Sequence, residues 1–206
     1  DKSFTTAEFC NLLGKRSKVT SKHPEKSFVV SAYEYDVPIY ISTIKDSSLA
    51  LNLAVHRLEN KKYDLDFVRE IIEQAAIVYD SKKSAILELG GGVPKNTAQQ
   101  TGPLLDQILR RNDGGQNYIV QITDARPDTG GLSGATLQEG KSWGKIQDSH
   151  EGIVTVYADA TIAFPILALY VLSNQKSRKP KRLYKRIDEM YGKLSDDYFK
   201  NPSTVK

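Results

Sequence analysis

The stretch AILELGGGVPKN, Ala85–Asn96, decides how the rest of the chain is read. Ala85–Leu89 is a short apolar run of the kind that forms a buried strand. Three glycines then turn the chain, and Pro94 falls where the first turn of a helix has no use for a backbone donor. Working outward, Val37–Ser42 predicts a short buried strand with Pro38 near its start. Tyr118–Thr123 and Ile153–Tyr157 predict two more. Helices are predicted between them. One covers Phe4–Lys15, opened by a Thr-Thr cap, with Phe9, Leu12 and Leu13 at helical intervals. Others run from the Asp46-Ser-Ser48 cap to about Leu58, over Leu65–Asp80, where Phe67, Ile71, Ile72, Ala75 and Ala76 mark one face, and from Asp159 to about Ser173. Ser17–Lys26 reads as a polar surface loop, and Ser27–Tyr35 as either helix or strand. Strands alternating with helices at this spacing predict an α/β fold, doubly wound around a mostly parallel sheet with helices on both faces. Ligands of such folds sit beyond the carboxyl ends of the strands. Four strand ends carry suggestive residues: Thr43–Asp46, Gly90–Asn96, Thr123–Asp128 and Ala158–Asp159.

The third of these leads into Thr129–Ile146, TGGLSGATLQEGKSWGKI, with five glycines, Glu139, Trp143, the single tryptophan of the chain, Lys141 and Lys145. Connections longer than about 12–15 residues are usually functional or disordered, and the strands on either side argue against disorder. An alkylammonium substrate fits against an indole face and a carboxylate, and the cation–π contact contributes about 0.5–2 kcal/mol. A nearby lysine can attack an imine once burial or a neighbouring cation frees its amine. The loop therefore reads as catalytic. Against this, Trp143 could fill a core and Lys145 could be solvated. The glycine turn at 90–92 is neither a dinucleotide fingerprint, which would need glycine at Lys95, nor a P-loop. It is either a tight structural turn or a nucleotide contact. Asp159 is either the N-cap of its helix or a holder of a ribose hydroxyl.

Composition narrows the classes. The 206 residues, 39% hydrophobic, suffice for a core of one domain or a large piece of one. No apolar run approaches the ~20 residues of a membrane span; Ala158–Leu172 is interrupted by Pro165 and carries Asp159. No signal peptide is visible. One cysteine, Cys10, excludes an internal disulfide, and three scattered histidines form no metal-ligand pattern. These features predict a cytoplasmic protein without metal, membrane or nucleic acid. The net charge of +4 hides an asymmetry. Seven basic residues lie between Lys176 and Arg186, and the remainder holds 22 basic residues against 25 acidic. That basic run reads as the solvated face of a terminal helix.

SGATLQEGKSWGKI (Ser133–Ile146), preceded by ELGGGVPKN (Glu88–Asn96) and VPIYISTIKDSSL (Val37–Leu49) and followed by VYADATIAFPIL (Val156–Leu167), resembles the deoxyhypusine synthase family, in its deoxyhypusine synthase-like branch. The resemblance implies a Rossmann-like, NAD-binding fold. It also implies an NAD-dependent aminobutyl transfer, in which spermidine is oxidised to an imine and its butylamine portion passes through an enzyme lysine to an acceptor amine. The acceptor is a protein lysine of the hypusine-bearing translation factor precursor or, as in homospermidine synthases, a free diamine such as putrescine. By match, Lys145 is the imine-forming lysine. Glu139, Trp143 and Asn96 then stand beside the polyamine. Asp46, Gly90, Gly92, Thr123, Asp128, Ser133, Asp159 and Ala160 line the NAD site. Three positions depart from the family pattern. Leu51 and Leu132 stand where it has carboxylates, and Asn96 where it has a histidine. These departures leave open a non-catalytic or regulatory subunit. The resemblance further implies that residues 1–175 are the C-terminal part of the catalytic domain and 176–206 a basic helix or tail. It implies a homo-oligomer, a tetramer, with sites at subunit interfaces. Because the chain opens on Asp1, an N-terminal segment or second chain is expected to supply further NAD contacts, without which this chain should not hold NAD well.

Overall fold

The computed structural model describes residues 3–111, 115–147 and 152–201. Its elements in chain order are β1 (Ser3–Phe4), α1 (Thr6–Thr20), α2 (Phe28–Tyr35), α3 (Ser48–Leu58), β2 (Asp64–Leu65), α4 (Phe67–Tyr79) and β3 (Ala85–Leu89). There follow α5 (Val93–Gln99), α6 (Thr101–Pro103, continued by a π-helical turn over Leu104–Ile108), β4 (Tyr118–Thr123), α7 (Leu137–Ser142), β5 (Ile153–Tyr157), α8 (Ala160–Asn174) and α9 (Leu183–Lys200). Every strand pairing within the two sheets is parallel, and the fold is α/β of Rossmann-like type. The chain forms two compact units, Asp1–Ile77 with Pro180–Lys193 and Val78–Lys179 with Leu194–Lys206. Among the described residues no helix is long and apolar enough to cross a membrane.

In the first unit, Thr5 caps α1 through a capping box with Glu8, which satisfies two amide donors that the helix leaves unpaired. The helix outlasts its apolar face. Ser17–Thr20, read as surface loop, continues α1, and Pro24–Lys26 adds a 3₁₀ turn. Ser27 caps α2, settling the open reading of 27–35 as helix, and Asp36 ends it in the left-handed conformation at φ 52°. The predicted strand at Val37–Ser42 does not form. Residues 37–41 take no regular structure, Ser42 begins a turn, and Val37 is half exposed. The segment is tied by side chains instead: the Ile41 amide donates to Thr6 Oγ1 at 2.9 Å, and the Tyr40 hydroxyl donates to Glu73 Oε2 at 3.0 Å. A short parallel pair, β1 with β2, that the sequence does not announce stands nearby in the chain order. Asp36 also receives part of the basic run. Arg182 Nη1 lies 2.6 Å and Lys185 Nζ 3.2 Å from Asp36 Oδ2, so that run is not wholly solvated.

The second unit is built on the sheet β3-β4-β5. Its register places Ile86, Ile119 and Ile153 in one row and Glu88, Gln121 and Thr155 in the next row on the same face. Ile119, Leu137 and Ile146 form a buried cluster, with Ile153 packed against it. The opposite face of β3 is open: Leu87 and Leu89 are exposed, so Ala85–Leu89 is a strand but not a buried one. The long glycine-rich segment is not a plain loop either. It holds 3₁₀ turns at Pro127–Thr129 and Leu132–Gly134 and the helix α7, capped by Thr136.

Candidate functional site

Lys145 is the point on which the second unit's irregular segments converge. The Lys145 amide donates to the Gly140 carbonyl at the end of α7, and its own carbonyl accepts from the Gln116 amide, both at 3.0 Å. Behind it, glycines at 102 and 115 let three stretches of backbone meet. A Cβ at Gly102 would lie 2.7 Å from the Gly144 carbonyl oxygen, and one at Gly115 would lie 2.4 Å from the Lys145 carbonyl carbon. The backbone that carries the amine is therefore fixed by packing rather than left to a flexible loop.

The amine itself is half-buried. Its Nζ donates to Asn96 Oδ1 at 2.5 Å and lies 5.8 Å from the centre of the Trp143 ring. Burial holds its pKa below the ordinary lysine value, because a charged ammonium is disfavoured away from water. Asn96 sits one turn into α5, directly after the glycine turn, so the glycine turn and Lys145 are brought together. Trp143 is 66% exposed, and Gln107 Nε2 donates to its carbonyl at 3.0 Å. Glu139 is exposed on α7, four residues before Trp143. Its charge acts on Lys95.

The candidate cofactor residues fall into three groups. Gly90, Gly92, Thr123 and Ser133 are brought together. The Gly90 amide donates to the Ile122 carbonyl at 2.8 Å, a Cβ at Gly92 would touch Leu132 and the Ser133 amide, and Thr123 Oγ1 donates to the Ser133 carbonyl at 3.4 Å. Asp159 and Ala160 stand next to this group, since the Ala158 amide donates to the Thr123 carbonyl at 3.1 Å. Asp159 caps α8 by accepting from the Thr161 amide at 2.7 Å, and these bonds lower its pKa. Asp128 is exposed and held by Arg126 at 2.6 and 2.9 Å. Asp46 is exposed in the first unit, before the cap of α3.

Two buried ionisable side chains, Glu88 and Lys95, carried no sequence motif of a site. Glu88, 4% exposed, accepts a short hydrogen bond on Oε1 from Gln99 Nε2, while its Oε2 has no hydrogen-bond partner among the described residues. Burial raises its pKa, against the Gln99 bond and the charge of Lys95. Lys95, 7% exposed, donates from Nζ to the Ala135 carbonyl at 2.9 Å. Burial lowers its pKa, Glu88 and Glu139 oppose that, and Lys145 adds to it. The available signal was a lone glutamate in the otherwise apolar AILEL.

Comparison with known proteins follows the same residues. The family profile described as deoxyhypusine synthase matches residues 1–171. The chain belongs to the deoxyhypusine synthase family. It is 45% identical to a "Deoxyhypusine synthase-like protein" of Nostoc sp., over 96% of this chain and 54% of the relative, and 43% identical to a protein of the same description from Nostoc punctiforme, over 96% and 53%. A "Probable deoxyhypusine synthase 2" of Methanosarcina acetivorans is 41% identical over 80% of this chain and 47% of the relative. The chain thus spans about half the length of the deoxyhypusine synthase relatives it matches.

Proposed function

We propose that this chain carries the imine-forming site of an NAD-dependent aminobutyl transfer of the deoxyhypusine synthase type. The observation that supports it most is the setting of Lys145: a half-buried amine whose pKa is pushed down by burial, hydrogen-bonded to a neutral amide and facing an indole. A free amine there adds to the imine carbon of oxidised spermidine. An imine on Lys145 forms, and the rest of the polyamine leaves as a diamine. An acceptor amine then takes the aminobutyl group from Lys145, and the acceptor is a lysine of the hypusine-bearing translation factor precursor. Trp143 and Glu139, one helical turn apart, hold the cationic end of the butylamine portion. Asn96 orients the Lys145 amine.

The residues at the strand ends fit a dinucleotide. Gly90 and Gly91 turn at φ 62° and 66°, and a Cβ at Gly90 would meet nothing within 4 Å, so the backbone there is open to close approach. Gly92 and Thr123 hold Ser133 against this turn, and Asp159 and Ala160 border it. Asp128, braced by Arg126, completes the set of this unit; Asp46, on the first unit, is proposed as a further dinucleotide contact in its own right. When bound, NAD accepts hydride from the donor and returns it to the product. The proposal includes assembly with further protein, as a homo-oligomer and with an N-terminal segment or second chain. α8 supports this: Ile162, Ile166, Leu169, Tyr170 and Leu172 are all about two-thirds exposed, and a helix apolar all round belongs inside a larger structure.

The test is borohydride added during turnover of the natural complex with spermidine and NAD. A trapped adduct mass on Lys145 is expected, and none on that residue would overturn the proposal. A second reading, a free diamine as acceptor or a non-catalytic subunit, is favoured by Leu51 and Leu132, both exposed where the resemblance puts carboxylates. Labelled spermidine offered with each acceptor separates the first. Undiminished activity of the complex after Lys145→Ala would establish the second.

A further inference from the structure

The sheet β3-β4-β5 is covered on one face and bare along one edge. Gln99 of α5 reaches Glu88, and Leu137 of α7 packs with Ile119. Both connecting segments therefore lie over the face that carries Ile86, Glu88, Ile119 and Gln121. On the other face the rows are Leu87–Val120–Val154 and Leu89–Ile122–Val156. There Leu87 is 45%, Leu89 42% and Val154 51% exposed. β3 has β4 on one side and, among the described residues, no strand on the other. The Gly90 amide donates to the Ile122 carbonyl, and the Ser84 carbonyl accepts from the Tyr118 amide. Alternate residues of a strand bond to the same neighbour, so the amides of Leu87 and Leu89 point away from β4, to the free edge. Lysine, proline or a bulge guards many exposed edges. AILEL has neither residue, and its one charge, Glu88, is turned to the covered face and held by Gln99.

All-parallel sheets occur with both faces covered. Right-handed crossovers that advance in one direction put their helices on one face, and the second face is covered by segments wound the other way from the first strand. Strands added beyond β5 would bring helices to the face already covered. Strands added beyond β3 bring theirs to the bare one. The matched relatives have the chain to do this: this chain spans 54% of the Nostoc sp. protein, and close to half of that relative has no counterpart here. We infer that the free edge of β3 takes up a parallel strand from a polypeptide corresponding to that other half, with its connecting helix over Leu87, Leu89 and Val154. This rests on the proposed dinucleotide site and completes it. Between β3 and the added strand the winding reverses, and ligands of open α/β sheets sit beyond the strand ends at such a point. That point is the glycine turn, where a Cβ at Gly90 would meet nothing within 4 Å.

The test is amide hydrogen exchange and needs neither cofactor nor substrate. The 206-residue chain is co-expressed with the part of the Nostoc sp. relative that it does not match, and the complex is compared with the chain alone, residue by residue. Exchange at Leu87 and Leu89 should slow by about tenfold or more in the complex. The Ala158 amide bonds to Thr123 of β4, so the amides of Thr155 and Tyr157 face the outer edge of β5, and these should not change. Leu87→Pro removes an outward amide and leaves the bonds to β4 in place, and it should prevent the complex. If circular dichroism shows that variant unfolded, Leu87→Lys decides, since a charge on the bare edge should block the added strand as well. No complex, or a complex in which Leu87 and Leu89 exchange as in the chain alone, would overturn the inference. So would slowing at Thr155 and Tyr157 in their place, or protection of Leu87 and Leu89 by self-association of the chain alone, read from its concentration dependence. Borohydride trapping on Lys145 in the natural complex reports on the proposed function separately, so either can fail while the other stands.

Discussion

The backbone under Lys145 can be tested with two glycines that share a positive φ and differ in their surroundings. Gly115 has φ +86° and Gly131 has φ +88°. Replacing either with alanine forces an L side chain to a positive φ, at a cost of about 1–3 kcal/mol. Around Gly131 the new methyl meets nothing within 4 Å, so the strain is the whole effect. At Gly115 it lies 2.4 Å from the Lys145 carbonyl carbon, 2.5 Å from its oxygen and 2.7 Å from the Ile146 nitrogen. All three are backbone atoms, which cannot rotate away as a side chain can. Overpacking of this kind costs about 1–3 kcal/mol. Relieving it means parting Gln116 from Lys145 and Gln147 from Gln116, hydrogen bonds of 3.0 and 3.1 Å, each contributing about 1 kcal/mol. Gly115→Ala should therefore destabilise by about 3 kcal/mol more than Gly131→Ala. Urea unfolding measures this, followed by circular dichroism and by the fluorescence of Trp143, the single tryptophan, two residues from the strained peptide. Equal destabilisation by the two substitutions would refute the close packing of residues 115 and 145.

Three other outcomes follow from the same physical arguments. Asn96→Asp places a carboxylate where Lys145 Nζ now meets an amide at 2.5 Å; the opposite charge favours the ammonium, and the pH midpoint for reductive alkylation of Lys145 by butanal and cyanoborohydride, read by peptide mass, should rise by about 1–3 pH units. For Asp36, burial opposes ionisation, but the bonds from Arg182 and Lys185 outweigh it and hold the carboxyl below its ordinary range. A depressed pKa gives stability that is present above the unfolded value and lost as pH falls through the folded one. Asp36→Asn should thus cost about 1 kcal/mol at neutral pH, modest because both cations are largely exposed, and nothing in strong acid. Melting temperatures of wild type and variant that do not converge on acidification would contradict this. Burial first, and the charge of Glu70 second, push the Cys10 thiol up to about 11. Iodoacetamide at mildly alkaline pH should leave Cys10 unmodified in the native chain and alkylate it in urea; rapid native labelling would show the thiol exposed.

The three strands of the second unit were legible to the residue because each is an apolar run closed by glycine, asparagine or a cap, and a strand's ends are set locally. So were the helix starts at 46–48 and at Asp159, where one oxygen and one amide within three residues decide the outcome; the Thr136 cap of α7, inside a stretch read as loop, was not. Val37–Ser42 has the same local character, yet it does not pair. A strand also needs a neighbour, and here the Ile41 amide is satisfied by Thr6, 35 residues earlier. Pairing is a property of the fold, not of the segment. Glu88 and Lys95 were hidden for a related reason. Their spacing carries no motif, and their burial comes from partners distant in sequence, Gln99 for Glu88 and the Ala135 carbonyl for Lys95.

Asn96 shows how the two kinds of information combine. By resemblance it is a departure, a histidine lost. In place, it is the group that meets the Lys145 amine. An imidazole could take up a proton at that position, and a carboxylate would hold one on the lysine. An amide does neither: it accepts one hydrogen bond from the amine and leaves its protonation to burial and to nearby charges. If Lys145 is the nucleophile, its reactivity in this chain is therefore governed by its burial, which disfavours the ammonium.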